Sequence, residues 1–271
     1  MDLLRVFAPI VVPLLALVAL LFWWKWRGER KDERAHADAL AALADALGGQ
    51  VVGAAGARAW TTDLLTPLRN QAEGVVNRVG TVRRARFETA LDFQRGGWSV
   101  RVSESSIVKH GVTTTSSTIH EHRIEVATSP LPATKLCRRV RSGFQGRPLT
   151  PAQAGDVGPA GEPPITAVRE QRDWLPVRLP EPASHEFTAF STDPVAVSRA
   201  FTPQLARWLV DEAGLSPFQG PMPVLLTIEG GYAYATAAER IAPERLLTRV
   251  DLILSLLNRI GATPAHPPAT V

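Results

Sequence analysis

The sequence predicts an α+β protein: an N-terminal transmembrane helix followed by a soluble domain with an antiparallel sheet and packed helices. Three observations support this fold class. Residues 6–24 carry no charge, the middle of the chain alternates apolar and polar residues, and its end has apolar residues at helical spacing. Glycine pairs separate the alternating segments, as they do in hairpins. With 271 residues, 45% of them hydrophobic, the chain is long enough to bury a core.

The charge-free run at residues 6–24 predicts a membrane anchor over residues 1–27. Nineteen apolar residues are about enough to cross the ~30 Å hydrocarbon core as a helix. The run ends in aromatic and basic residues typical of a membrane interface, namely Trp23, Trp24, Lys25, Trp26 and Arg27. A cleaved secretory signal is the alternative, but it usually has a shorter apolar region followed by small residues.

The basic residues around this run predict its orientation. Arg5 precedes it, whereas five basic residues follow it: Lys25, Arg27, Arg30, Lys31 and Arg34. The positive-inside rule then gives a single-pass protein of the cell membrane with its domain in the cytoplasm. Cys137 is the only cysteine, which excludes an intramolecular disulfide and is compatible with a reducing compartment. An exported domain that faces outward stays open as an alternative.

Residues 28–48 are predicted to form a juxtamembrane helix, because Leu40, Leu43 and Leu47 recur at helical spacing before a glycine pair. Residues 49–142 are predicted to form a β-rich half. A strand from residue 87 ends at Gly96-Gly97, and apolar residues then alternate with polar ones from Trp98. Residues 119–128 continue the strand pattern, which indicates an antiparallel meander.

Residues 143–185 are rich in proline and glycine and are predicted to form a flexible linker or a surface excursion. Residues 186–261 are predicted to form an α/β half. Asp193-Pro194 and Thr202-Pro203 each pair an N-cap residue with proline at the first helical position. Gly230-Gly231 predicts a hairpin, and apolar residues from 246 to 260 predict a last helix. Residues 262–271 are predicted to be a disordered tail.

Three histidines form the sharpest candidate for a metal site. His120 and His122 are two residues apart, so that on a strand they share one face, and His110 is expected to reach them from a neighbouring strand. The ordinary alternative is a polar hairpin face without a ligand. No fourth ligand or catalytic glutamate is fixed by the sequence.

A second candidate is a basic cluster in a stretch that lacks acidic residues. It consists of Lys135, Arg138, Arg139 and Arg141. Under an anionic leaflet each such residue contributes about 1 kcal/mol, so the cluster is predicted to contact the membrane surface or lipid head groups. A solvated loop is the alternative. Aromatic residues interleaved for base stacking are missing, so nucleic acid is not an expected partner.

The C-terminal third resembles uncharacterised bacterial proteins that carry a membrane anchor and a domain of unknown function. The features that carry the resemblance are Phe187, Asp193-Pro194, Thr202-Pro203, Gly230-Gly231 and the closing apolar helix, within residues 186–260. The resemblance implies a fold and a membrane anchor. It transfers no catalytic residue.

The sequence therefore predicts a membrane-anchored, non-catalytic interaction or scaffold protein, with the lipid bilayer and an unidentified protein as partners. No phosphate-binding glycine motif is complete, and no cofactor is expected. The alternative function is a small-ligand or metal-binding domain, in one version enzymatic, that uses the strand face at His120 and His122. An enzymatic role is disfavoured but stays open.

Overall fold

Residues 2–68, 85–110, 116–138, 168–213 and 224–266 are described by the computed structural model. Within them, nine strands form one antiparallel sheet that helices cover, so the α+β architecture is confirmed. The order of the strands across the sheet is β1-β2-β3-β4-β9-β8-β5-β7-β6. Strands from both predicted halves of the domain therefore belong to the same sheet, because β4 pairs with β9 and β5 lies between β8 and β7.

The strands are β1 (Gln50–Gly53), β2 (Arg86–Arg95), β3 (Trp98–His110), β4 (Ser116–Ala127), β5 (Thr134–Arg138), β6 (Leu175–Val177), β7 (Phe187–Ser191), β8 (Val224–Glu229) and β9 (Tyr232–Ala237). The α-helices are α1 (Asp2–Leu47), α2 (Ala183–Glu186), α3 (Pro194–Ala200), α4 (Pro203–Trp208) and α5 (Pro243–Arg259). A 3-10 helix spans Arg169–Asp173, and a π-helical turn spans Leu209–Ala213.

The apolar core lies between one face of the sheet and the helices. The end of α1 and one side of α5 bury their apolar side chains there, Leu40 and Leu257 among them. Strand residues that alternate with polar ones supply the other side of the core, including Val100, Val102 and Ile124. The helical spacing of α5 and the period-two spacing of β3 therefore converge on one hydrophobic cluster.

Local sequence signals set several of these boundaries. The Asp193 side chain accepts a hydrogen bond from the amide of Ala196 at 2.9 Å, and Thr202 Oγ1 accepts one from the amide of Leu205 at 3.2 Å. Both predicted N-caps are thus confirmed. Gly230 and Gly231 have φ of 62° and 80°, as the tight turn between β8 and β9 requires.

The transmembrane helix of the predicted fold class is wrong for this structure. Among the residues described, no helix combines the length and the apolar character that crossing a membrane requires. The described side chains of α1 begin at Leu17, and charged residues dominate from Lys25 onward. The predicted anchor and juxtamembrane helix belong to one continuous helix.

The predicted linker lies partly outside the described residues. From Val168 onward it contains the 3-10 helix, the edge strand β6 and α2. Of the predicted tail, residues 262–266 are described, and Pro264 forms an isolated antiparallel bridge with Thr128.

Candidate functional site

The main group of exposed apolar side chains in the described residues lies on α1, at residues 17–26. We call this segment the apolar collar. Its large apolar side chains are 41% to 71% exposed: Leu17, Val18, Leu20, Leu21, Phe22, Trp23, Trp24 and Trp26. Because successive helical residues are about 100° apart, these positions surround the helix rather than forming one stripe. The collar is thus apolar on all sides.

Arginines stack on two tryptophans at the C-terminal end of the collar. The Arg27 guanidinium lies 5.3 Å from the centre of the Trp23 ring, and that of Arg30 lies 4.0 Å from the Trp26 ring. Residues 23, 26, 27 and 30 follow the i, i+3, i+4, i+7 spacing of one helix face. The residues predicted to lie at a membrane interface, including the exposed Trp24 and Lys25, are next to one another on α1.

The C-terminal part of α1 is docked on the sheet. Nε2 of His36 lies 3.1 Å from Oε2 of Glu104 on β3. The same carboxylate oxygen accepts a hydrogen bond from the amide of Ile241 at 2.7 Å, and Arg240 lies 3.7 Å from its other oxygen. One turn beyond His36, Leu40 enters the core. The collar therefore belongs to a helix whose C-terminal part is packed against the domain.

His122 is buried, and both of its ring nitrogens are engaged. Nδ1 donates to the carbonyl oxygen of Glu239 at 2.9 Å, which leaves Nε2 to accept from Nη1 of Arg249 at 3.2 Å. Burial, with a smaller effect of Arg249, lowers the pKa of His122, consistent with this neutral tautomer. No ring nitrogen of His122 is left for a metal ion.

The other two histidines lie at different positions along the sheet: His120 is on the same strand as His122, and His110 is at the far end of β3. His120 lies on the same face, where burial and then Arg240 lower its pKa. His110 pairs with Ser116, whereas His120 pairs with Ser106, so that the backbone of His110 lies about 13 Å further along β3. The side chain of His110 is outside the described residues. In the described part of the chain, no three His, Cys, Asp or Glu side chains cluster as metal ligands do.

The predicted basic cluster is not assembled as a surface patch within the described residues. Lys135 is 4% exposed, and its Nζ donates to Oε1 of Gln171 at 2.6 Å. Arg138 lies 3.9 Å from the carboxylate of Glu186. Arg139 and Arg141 are outside the described residues.

The second face of the sheet carries buried ionisable residues that were not among the predicted site residues. On β4, Glu121, Arg123 and Glu125 point to this face in alternate positions, and residues 57–68 cover them. Glu125 accepts hydrogen bonds from the amide and hydroxyl of Thr61 at 2.7 and 2.6 Å. Arg123 donates to the carbonyl of Leu65 at 2.7 Å. The sequence signal that could have identified this face is the charged residue at every second position of β4.

The same face continues across the sheet in both directions. Arg101 on β3 makes two hydrogen bonds to Asp92, at 2.7 and 2.6 Å, and donates to the carbonyl of Arg58. Its guanidinium lies 5.2 Å from the ring of Trp60, which stacks on Tyr232. Together with the bond between Thr61 and Glu125, these contacts attach residues 57–68 to β3, β4 and β9.

At the other end of this face, Gln171 of the 3-10 helix joins three strands. It accepts from Lys135 on β5 and donates to Glu229 on β8 and to the hydroxyl of Tyr234 on β9, at 2.6 and 3.2 Å. Burial lowers the pKa of Lys135 to about 8, although Cys137 and Glu229 act in the opposite direction. We call this second face of the sheet the polar sheet face; it carries Arg101, Glu121, Arg123, Glu125, Lys135, Glu229 and Tyr234. Within the described residues, its ionisable side chains are bonded to one another and to the segments that cover them.

Comparisons of the chain with family models, with curated proteins and with solved structures find no match. The resemblance of residues 186–260 to anchored bacterial proteins therefore stays a prediction, and the function has to be argued from the geometry of this chain.

Proposed function

We propose that this protein is a non-catalytic scaffold that associates with a lipid bilayer through the apolar collar and presents its α+β domain to a protein partner. The observation that carries the proposal is the collar itself. A helix that is apolar on all sides is stable in an apolar environment, whereas one exposed to water bears a cost for every large side chain.

The composition of the collar fits the interface of a bilayer. Tryptophans concentrate at its C-terminal end, next to the charged part of α1. Trp at a membrane interface has its apolar ring in the lipid and its N–H in the head-group layer.

The basic residues beside the collar favour anionic lipids. Arg27 and Arg30 stack on tryptophans, and an arginine stacked in this way still has N–H groups at its edge for phosphate oxygens. Lys31 and Arg34 follow on the exposed part of α1. Each basic residue near an anionic surface contributes about 1 kcal/mol, so that salt and lipid charge are expected to affect binding.

A non-catalytic role is supported by the state of four ionisable groups with shifted pKa values. Glu121, Glu125, His122 and Lys135 are buried in the described structure and bonded to other protein groups. A general acid or base needs to reach a substrate atom. Their pKa shifts are explained by burial in the fold, without a catalytic task.

Vesicle flotation of the full chain tests this proposal. The variant Phe22→Ser/Trp24→Ser removes two collar side chains that are about 70% exposed. Burial in lipid contributes about 2 kcal/mol for each, so binding to vesicles with anionic lipid is expected to weaken at least about 100-fold. The matched control, Leu175→Ser/Val195→Ser, removes two exposed apolar side chains of the domain. It is expected to float like the wild type.

Two outcomes contradict the proposal. In the first, the wild-type chain stays in the unbound fraction with both neutral and anionic vesicles. In the second, the collar variant and the domain control lose the same share of binding, which would mean that general stickiness explains the flotation.

A further inference from the structure

A cavity of about 210 Å³ lies between α3 and the end of α5, over strands β5 and β8. Its walls include Leu136, Val197, Phe201, Leu226, Ile228 and Leu256. These side chains belong to the main hydrophobic cluster of the domain and are buried. The cavity therefore opens into the apolar core and is not a depression in a polar surface.

The lining offers almost nothing to a polar ligand. Of the described residues that line the cavity, Thr134 is the one with a polar side-chain atom. Its Oγ1 donates to the carbonyl of Pro132 at 2.8 Å and lies 3.3 Å from Oγ of Ser191, so it is already hydrogen-bonded. A polar group that entered would give up its water without a side-chain partner. A hydrocarbon group would enter without this cost.

The rim of the cavity is half-buried, and five residues line it: Leu131, Pro132, Ala196, Ala200 and Ile260. A ligand in this position has an apolar part inside and its other end at the surface. Hydrocarbon in the cavity would also restore contacts that a void in a close-packed core lacks.

We propose that this cavity binds the alkyl chain of a small, single-chain amphiphile whose polar end stays in water. The site does not depend on the lipid contact of the collar. A cavity of about 150 Å³ lined by apolar side chains admits benzene, so the larger volume here accommodates about six to eight carbon atoms.

The probes are straight-chain carboxylates of four to ten carbons and the matching primary alcohols, titrated into the full chain and followed by calorimetry. Affinity is expected to rise about fourfold for each methylene until the cavity is full, and then to level off. Carboxylate and alcohol of equal length are expected to bind within about threefold of each other, since the lining does not recognise the polar end.

The variant Ala200→Phe places a ring at the rim and is expected to weaken octanoate binding at least about tenfold. The control is Val195→Phe on the same helix, which adds the same ring at an exposed position outside the cavity and is expected to bind like the wild type. Adsorption of the probes to the apolar collar would be unchanged by Ala200→Phe, so the pair separates the two locations.

The proposal is overturned if the wild type binds none of the probes, if affinity shows no dependence on chain length, or if Ala200→Phe binds octanoate as well as Val195→Phe. If Ala200→Phe does not fold, the chain-length series on the wild type decides alone. A steady rise to ten carbons without a plateau then contradicts a cavity of this size.

Discussion

Folded proteins generally bury apolar side chains and expose charged ones. The polar sheet face and the apolar collar depart from this pattern in opposite ways. The first buries charged residues such as Arg123 and Lys135, and the second exposes large apolar residues such as Trp24. The buried charges are compensated inside the protein, because backbone amides, carbonyls and opposite charges of residues 57–68 and of the strands bond to them. No described part of the chain covers the collar in this way. Within the described residues the apolar side chains of the collar therefore stay exposed, and a lipid bilayer is the partner that we propose for them.

Removing a charge from the polar sheet face is expected to have the largest effect on stability. In Arg123→Met, the carboxylates of Glu121 and Glu125 lose their buried counter-charge. Since breaking a buried ion pair typically costs about 3–5 kcal/mol, we expect a loss of this size in the free energy of unfolding, measured in urea at pH 7. The control Arg245→Met removes exposed ion pairs and is expected to cost less than about 1 kcal/mol. Equal losses would contradict internal compensation.

The collar and the docked C-terminal part of α1 are expected to differ nearly as much in what a side chain contributes to the free energy of unfolding. Leu40→Ala empties a core position and is expected to lower the free energy of unfolding by about 3 kcal/mol. Leu20→Ala in the collar makes the same chemical change at an exposed position and is expected to change it by less than about 0.5 kcal/mol. A large loss in Leu20→Ala, measured without lipid, would show that the collar packs on protein.

The buried lysine predicts a dependence of stability on pH. The pKa of Lys135 is about 8 in the fold and has the ordinary value of 10.5 in the unfolded chain, so between these values the unfolded chain binds more protons and stability rises with pH. The burial penalty is complete below pH 8 and disappears towards pH 10.5. The stability of the wild type minus that of Lys135→Met is therefore expected to increase by about 2 kcal/mol from pH 7.5 to 9.5. A flat difference would contradict a buried, titrating amine.

The smallest effect on stability is expected in the collar. Trp24→Ser is expected to leave the urea midpoint unchanged within about 0.5 kcal/mol, because the ring has mostly solvent around it. The same change is expected to weaken binding to anionic vesicles at least about tenfold. An intact midpoint together with intact vesicle binding would remove this residue from the proposed contact.

Several elements follow directly from local sequence. The N-caps at Asp193 and Thr202 and the hairpin at Gly230-Gly231 depend on residues next to one another, and their geometry agrees with expectation. The nine-stranded order does not follow, because the pairing of β5 with β7 and β8 joins segments far apart in the chain. No short-range pattern specifies such pairs.

The candidate site was predictable only in part. Trp23 and Arg27 are four residues apart, so helical spacing alone brings them together. The sequence did not show that the side chains of Lys135 and His122 are buried and hydrogen-bonded. Their partners are Gln171, Glu239 and Arg249, which come from distant parts of the chain. The transmembrane prediction used the residue types of positions 6–24, whereas no helix in the described part of the chain is long and apolar enough to cross a membrane.

The most direct test of the account is the depth of the collar in a bilayer, measured by quenching of tryptophan fluorescence with phospholipids brominated at defined positions. The collar signal is the difference between the wild type and Trp23→Phe/Trp24→Phe/Trp26→Phe, which leaves the domain tryptophans in place. Bromines near the head groups are expected to quench this difference most strongly, and aqueous iodide is expected to quench it less once vesicles are added. Full iodide quenching with vesicles present, and none by brominated lipid, would contradict the account.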